Sequence, residues 1–211
     1  MPGARAVQRE ALELAEQHGR PFTVAQATTF GALVLLLDEE WAEAGRLATR
    51  AVDLSDEYGF PRWHGSALVL RGRALLEEGD GDRGLAEMRE GLDELERTRL
   101  RLGNSLLFSF LAAACLRLDR GDEGLGAADA GLTHCRDTGE RLFEAELWRL
   151  RGELILRRAR IKGQARPASG PEAEACYEKA RTVARGQGAH MLERRASLRD
   201  VGVAALRRVS R

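Results

Sequence analysis

The sequence predicts an all-α solenoid of helical hairpins, about four 40-residue units plus a capping helix, and three observations carry that reading. Small residues recur at a fixed interval. Ala32, Gly72, Ala112 and Gly152 stand 40 positions apart, and Leu35, Leu75, Cys115 and Ile155 follow each by three. The same register continues through Ala44, Gly84 and Gly124, through Ala48, Met88 and Ala128, and through Ala51, Gly91 and Gly131. A period of roughly 20–50 residues marks stacked units, because a lone hairpin cannot bury its apolar face. Apolar residues also fall at helical spacing, as in Leu85, Met88, Leu92 and Leu95. Finally, helix stops recur. Ala11–Pro21 (ALELAEQHGRP) aligns one period later with Ala51–Pro61 (AVDLSDEYGFP), each closing on Gly-x-Pro.

The elements follow in order. An N-terminal half-unit at 4–19 holds one helix, near Ala4–His18, in the place of a second hairpin helix (B) with no first helix (A) before it. Units near 22–59, 60–99, 100–139 and 140–188 each pair the two. Their A helices lie near Thr23–Leu37, Arg62–Glu78, Asn104–Leu118 and Arg141–Arg158, their B helices near Trp41–Tyr58, Asp82–Thr98, Asp122–Thr138 and Glu172–Gln187. Asp82 and Asp122 stand where N-caps belong. A glycine inside a helix costs ~1 kcal/mol relative to alanine; here glycines fill slots where paired helices approach closely, which offsets the cost. A basic, breaker-rich insertion near 157–171 carries Arg157, Arg158, Arg160, Lys162 and Arg166 and reads as a solvated loop. An amphipathic helix at 190–209 caps the array. The half-unit leaves the N-terminal edge incompletely covered, so weak self-association, or docking on preceding repeats of a longer parent, is expected there.

The order small, larger apolar, small, larger, small resembles the tetratricopeptide repeat, with helices and connections longer by six residues than that repeat's usual length. A narrower likeness covers Gly139–Leu156 (GERLFEAELWRLRGELIL) and Glu172–Ala189 (EAEACYEKARTVARGQGA). These segments look like the C-terminal repeat region of large bacterial regulators, in which a nucleotide-cyclase or LuxR-type DNA-binding domain accompanies a phosphate-loop ATPase. Glu144, Glu146, Arg149, Gly152 and Glu153 carry the likeness. It implies a non-catalytic arm of a signalling protein whose catalytic residues lie outside this sequence. The alternative is a free-standing adaptor that holds a peptide or protein in its groove.

Composition narrows the function classes. Formal net charge is zero, against bulk attraction to nucleic acid or anionic membrane. The longest apolar run, Phe30–Leu37, is far below the ~20 residues of a bilayer span. The start lacks the apolar core of a signal peptide, and Cys115, Cys135 and Cys176 have no pairing or ligand spacing, so a reducing cytoplasm is expected. Gly79–Gly84 (GDGDRG) matches a dinucleotide fingerprint, but a helix precedes it and Gly81, Asp82, Gly84 and Leu85 recur one period later as Gly121, Asp122, Gly124 and Leu125, so it is a turn. His18, His64, His134 and His190 are dispersed and read as solvated or helix-end residues. Neither a phosphate-binding loop nor an activated nucleophile is legible, and no enzyme activity, metal or cofactor is expected.

Partner contacts are expected on the face that the A helices line in tetratricopeptide arrays. Register places Gln26, Thr29, Leu33, Ser66, Val69, Arg73, Ser109, Ala113, Glu146, Arg149 and Glu153 there. Arg73 and Arg149 suit bidentate capture of a carboxylate. Alternatively, Glu146, Arg149 and Glu153 pair among themselves or with adjacent helices and brace the fold.

Overall fold

The computed structural model describes residues 2–99, 101–161 and 169–197, and every regular element among them is a helix. The chain divides into two compact units, Met1–Arg101 and Leu102–Arg211. The first holds α1 (Pro2–His18), α2 (Pro21–Leu37), α3 (Trp41–Tyr58), α4 (Pro61–Glu78) and α5 (Gly81–Arg97). The second holds α6 (Asn104–Arg117), α7 (Gly121–Thr138), α8 (Glu144–Ile161) and α9 (Ser169–Gly186), with further helix at 190–197. Hairpins α2–α3 and α4–α5 fill the first unit, α6–α7 and α8–α9 the second. This is an all-α fold of tetratricopeptide-like hairpins.

Backbone chemistry ends the helices where the sequence places stops. Gly19 and Gly59 adopt φ of 65° and 70°, and Pro21 and Pro61 open the helices that follow. Within hairpins the left-handed position falls on Glu39, Gly79 and Asp119, again at the 40-residue period. Just past these positions, the amides of Glu40, Asp80 and Arg120 donate to the carbonyls of Leu35, Leu75 and Cys115, each at 2.9 Å. Because this six-residue backbone closure sets the turn, the side chains expected to cap are not used. The cap positions of α5 and α7 are Asp80 and Arg120, neither with a side-chain cap bond. Asp82 and Asp122 instead lie in the first turns, where their charge meets the positive end of the helix dipole.

Packing centres on small residues, and the structure adds a row that the sequence reading lacked. Ala25, Gly65, Ser105 and Ala145, seven positions before the recognised row, are also buried. Each hairpin thus crosses on four small residues: Ala25, Ala32, Ala44 and Ala51; Gly65, Gly72, Gly84 and Gly91; Ser105, Ala112, Gly124 and Gly131; Ala145, Gly152, Ala173 and Ala180. The α4–α5 crossing is tightest. A Cβ on Gly84 would lie 2.5 Å from the Gly72 carbonyl oxygen, and one on Gly65 2.7 Å from that of Gly91. Gly152 is more lightly confined, with the Tyr177 ring at 3.1 Å and the Ala173 carbonyl oxygen at 3.2 Å from a Cβ.

Part of the basic insertion is helical. Arg157, Arg158 and Arg160 belong to α8, and Arg157 and Arg158 reach back to Asp119 at 2.5 Å and Asp122 at 3.4 Å. The helix continues because these pairs hold its last turns against the α6–α7 turn. Lys162 and Arg166 lie outside the described residues, as does the capping helix beyond 197. At the other end, α1 packs on α2: Arg5 pairs with Asp38 and, at 2.6 Å, with Glu40, while Arg50 of α3 reaches Glu16 at 2.6 Å. No described helix is long and apolar enough to cross a membrane.

Candidate functional site

The residues expected to meet a partner fall in both units, and each group is placed within its own. In the first, Thr29, Ser66 and Val69 are buried, Thr29 donating its hydroxyl to the Ala25 carbonyl at 2.8 Å. Arg73 is part-exposed, pairs with Glu77 four residues on, and lies 5.3 Å from the centre of the Trp41 ring. In the second unit Glu146, Arg149 and Glu153 do come together. Arg149 donates through Nε to Glu146 at 2.9 Å, through Nη2 to the other Glu146 oxygen at 2.8 Å, and through Nη1 to Glu153 at 2.5 Å. Its side chain is only 8% exposed. Burial disfavours the Arg149 charge, but the two carboxylates outweigh it and hold the guanidinium above its usual range. Arg195 adds a second cation to Glu146 at 3.3 Å.

Sequence reasoning missed a carboxylate between α7 and α8. Glu140 accepts from the amides of Gly103 at 2.7 Å and Ser105 at 3.1 Å and from the Ser105 hydroxyl; His134 approaches it at 3.4 Å. Because Gly103 opens α6 without a side-chain cap, Glu140 caps that helix from 35 residues away. Serine, carboxylate and imidazole meet here in the wrong order for catalysis, since the carboxylate separates hydroxyl from imidazole. Burial pushes the Glu140 carboxyl up, yet its donors overrule burial and hold it below the usual range. A carboxyl depressed on folding stabilises above its unfolded pKa, and that stability is lost as pH falls through the folded value. Glu140→Gln is therefore expected to cost about 1 kcal/mol at neutral pH. Its deficit against wild type, measured by thermal melts, shrinks as pH drops below about 4.

Histidines also depart from expectation. His64 contacts Glu94 at 2.5 Å and Asp56 at 3.2 Å, and His134 is largely buried beside Glu140. Paired carboxylates, rather than solvent, receive both rings. All three cysteines are buried thiols. Burial, then Glu144 and Glu140, push the Cys135 thiol up to about 12, and burial also raises Cys176. Native protein at pH 8 should therefore react slowly with a thiol-specific disulfide reagent, and unfolding should release all three thiols. Rapid reaction of a native thiol would contradict this packing. Among the described residues no three metal-ligating side chains gather.

Another feature unread in the sequence is aromatic. Phe22 meets Phe60 and Trp63 edge-on at 5.3 and 5.9 Å, Phe30 meets Trp63 at 5.8 Å, and Tyr58 stacks on Phe60 at 6.0 Å. Phe22 and Phe30 are each 51% exposed although their rings sit on a buried indole, whose N–H has no partner among the described residues. Converging, half-exposed aromatic rings are the composition of binding surfaces. The sequence hid this cluster because its members come from three helices and a connection.

No protein-family model matches the chain, and no curated protein does. Solved structures match its fold. The apo form of RapI aligns at a TM-score of 0.59 and 12% identity over 94% of this chain and 74% of its own. Aspartyl phosphate phosphatase F from Bacillus subtilis aligns at 0.59 and 14% identity, over 95% of this chain and 53% of its own. A Rap protein complexed with competence and sporulation factor aligns at 0.58 and 10%, over 97% and 59%. The chain thus spans little more than half the length of the last two, and the shared property is the helical-repeat fold.

Proposed function

We propose that this chain is a non-catalytic protein-interaction module, acting in the cytoplasm on a protein or peptide partner or on other domains of a larger parent. One observation carries the reading: the half-exposed Phe22 and Phe30 rings gathered on buried Trp63. Support comes from the fold, which a Rap protein uses in a complex with competence and sporulation factor. Arg73, whose guanidinium is part-exposed, is the cation that touches the partner. Glu146, Arg149 and Glu153 serve by fixing the face of α8. The finer reading is the arm of a cyclase- or ATPase-linked bacterial regulator, and it rests on the resemblance at Gly139–Leu156. A free-standing adaptor is the alternative, supported by the complexed Rap structure.

A photo-crosslinking residue at position 30 tests the module. Cross-linking to one discrete protein, abolished by F22S/F30S while the variant keeps a cooperative thermal melt, is the expected result. Absence of any specific adduct, or adducts indifferent to those substitutions, would overturn it.

A further inference from the structure

A groove of about 330 Å³ opens in the second unit between α7 and α9, with α8 as its floor. Gly131 lies against Leu147 and Gly124 against Leu154, so α7 and α8 are antiparallel. The Gln187 side chain, just past α9, donates to the Arg141 carbonyl ahead of α8, so α8 and α9 are antiparallel too. Hence α7 and α9 run the same way along the groove. At one end Arg151 bridges the two acids that line it. Its Nε donates to Asp129 at 2.8 Å, and Nη1 reaches Glu172 at 3.4 Å and the Cys176 sulfur at 3.2 Å.

The other end is different. Arg136 follows Asp129 by seven residues on α7, and Lys179 follows Glu172 by seven on α9. Both cations therefore stand two helical turns from the acids, ~10 Å along the groove. Trp148, three residues before Arg151 on the antiparallel floor, lies toward that end, and the Lys179 ammonium sits 4.3 Å from its ring centre. Neither Arg136 nor Lys179 pairs with a carboxylate among the described residues. One end of the groove thus holds two acids on one cation, while the other offers two cations beside an aromatic ring, with Leu132 and Ala175 between.

We propose that this groove binds an acidic peptide segment, seating one apolar side chain on Trp148, Leu132 and Ala175 and one carboxylate between Arg136 and Lys179. The inference rests on the interaction-module reading and names a second contact surface for it. Charge selects the occupant. A polyanion tracking the groove would run onto Asp129 and Glu172, whereas a single carboxylate needs only the cationic end. Size agrees, because the volume lies at the bottom of the ~300–1,000 Å³ range of small-molecule pockets, room for one or two side chains.

The test uses the full chain against a decapeptide array in which Asp or Glu adjoins Leu or Phe, beside a matched array carrying Asn or Gln instead. The strongest acidic decapeptide is then titrated by fluorescence anisotropy. Expected are capture of the acidic array only, and affinity at least tenfold weaker for R136E/K179E, whose exposed side chains leave the melting temperature unchanged. Excess inorganic phosphate should not displace the peptide. Equal capture of both arrays, no capture of either, displacement by phosphate, or full affinity in R136E/K179E would each overturn the groove. Loss of binding in F22S/F30S but not in R136E/K179E would overturn it while leaving the interaction module standing.

Discussion

Arg149→Leu is expected to destabilise the second unit by about 3–5 kcal/mol, the range for removing one partner of a buried ion pair. The guanidinium is the shared cation of Glu146 and Glu153, all three side chains are nearly out of solvent, and Arg195 reaches only Glu146. Without it, Glu146 keeps only Arg195 and Glu153 loses this ion pair, which leaves buried negative charge in excess on α8. Thermal melts and urea titrations of wild type and variant measure the loss. Replacing all three residues by leucine should recover most of it, because an apolar cluster carries no uncompensated charge. A neutral Arg149→Leu would instead mean that the triad is held for a partner and does not brace the helix.

Gly72→Leu is the second large effect. Overpacking of a filled core costs about 1–3 kcal/mol, and this site should reach the upper end, because what a Cβ meets is the Gly84 backbone. Carbonyl groups cannot change rotamer, so the two helices must part along their whole crossing. Gly152→Ala supplies the contrast. There a Cβ meets the Tyr177 ring at 3.1 Å and the Ala173 carbonyl oxygen at 3.2 Å, contacts that a shift of a few tenths of an ångström relieves, and helix propensity returns ~1 kcal/mol. Its melting temperature should stay near wild type while that of Gly72→Leu falls by several degrees. Equal, small effects at both positions would remove the distinction between backbone and side-chain crossings.

Much of the fold was legible because its signals are periodic and local. Trp41–Tyr58 was read to the residue, since its stop, its small positions and its apolar stripe all lie within one window. Ala25, Gly65, Ser105 and Ala145 keep the same 40-residue period, but the more regular Ala/Gly row seven positions later hid them. The site was less legible for a different reason. Glu140 caps α6 across 35 residues, and Phe22 finds Phe60 across a whole hairpin. No one-dimensional spacing records such meetings. Even the Glu146–Arg149–Glu153 set, visible as an i, i+3, i+7 pattern, showed its burial only once the helix had neighbours.

Gly65 with Gly91, and Gly72 with Gly84, are mirror-placed about the α4–α5 turn, each pair seven residues from the next on its helix. Two backbone-to-backbone contacts of this kind work like the teeth of a ratchet pawl with a single notch. To slide α5 along α4 by one turn, a leucine or methionine side chain would have to pass where only a hydrogen atom fits. Under tension applied to its ends, the hairpin therefore has no partly slipped resting state.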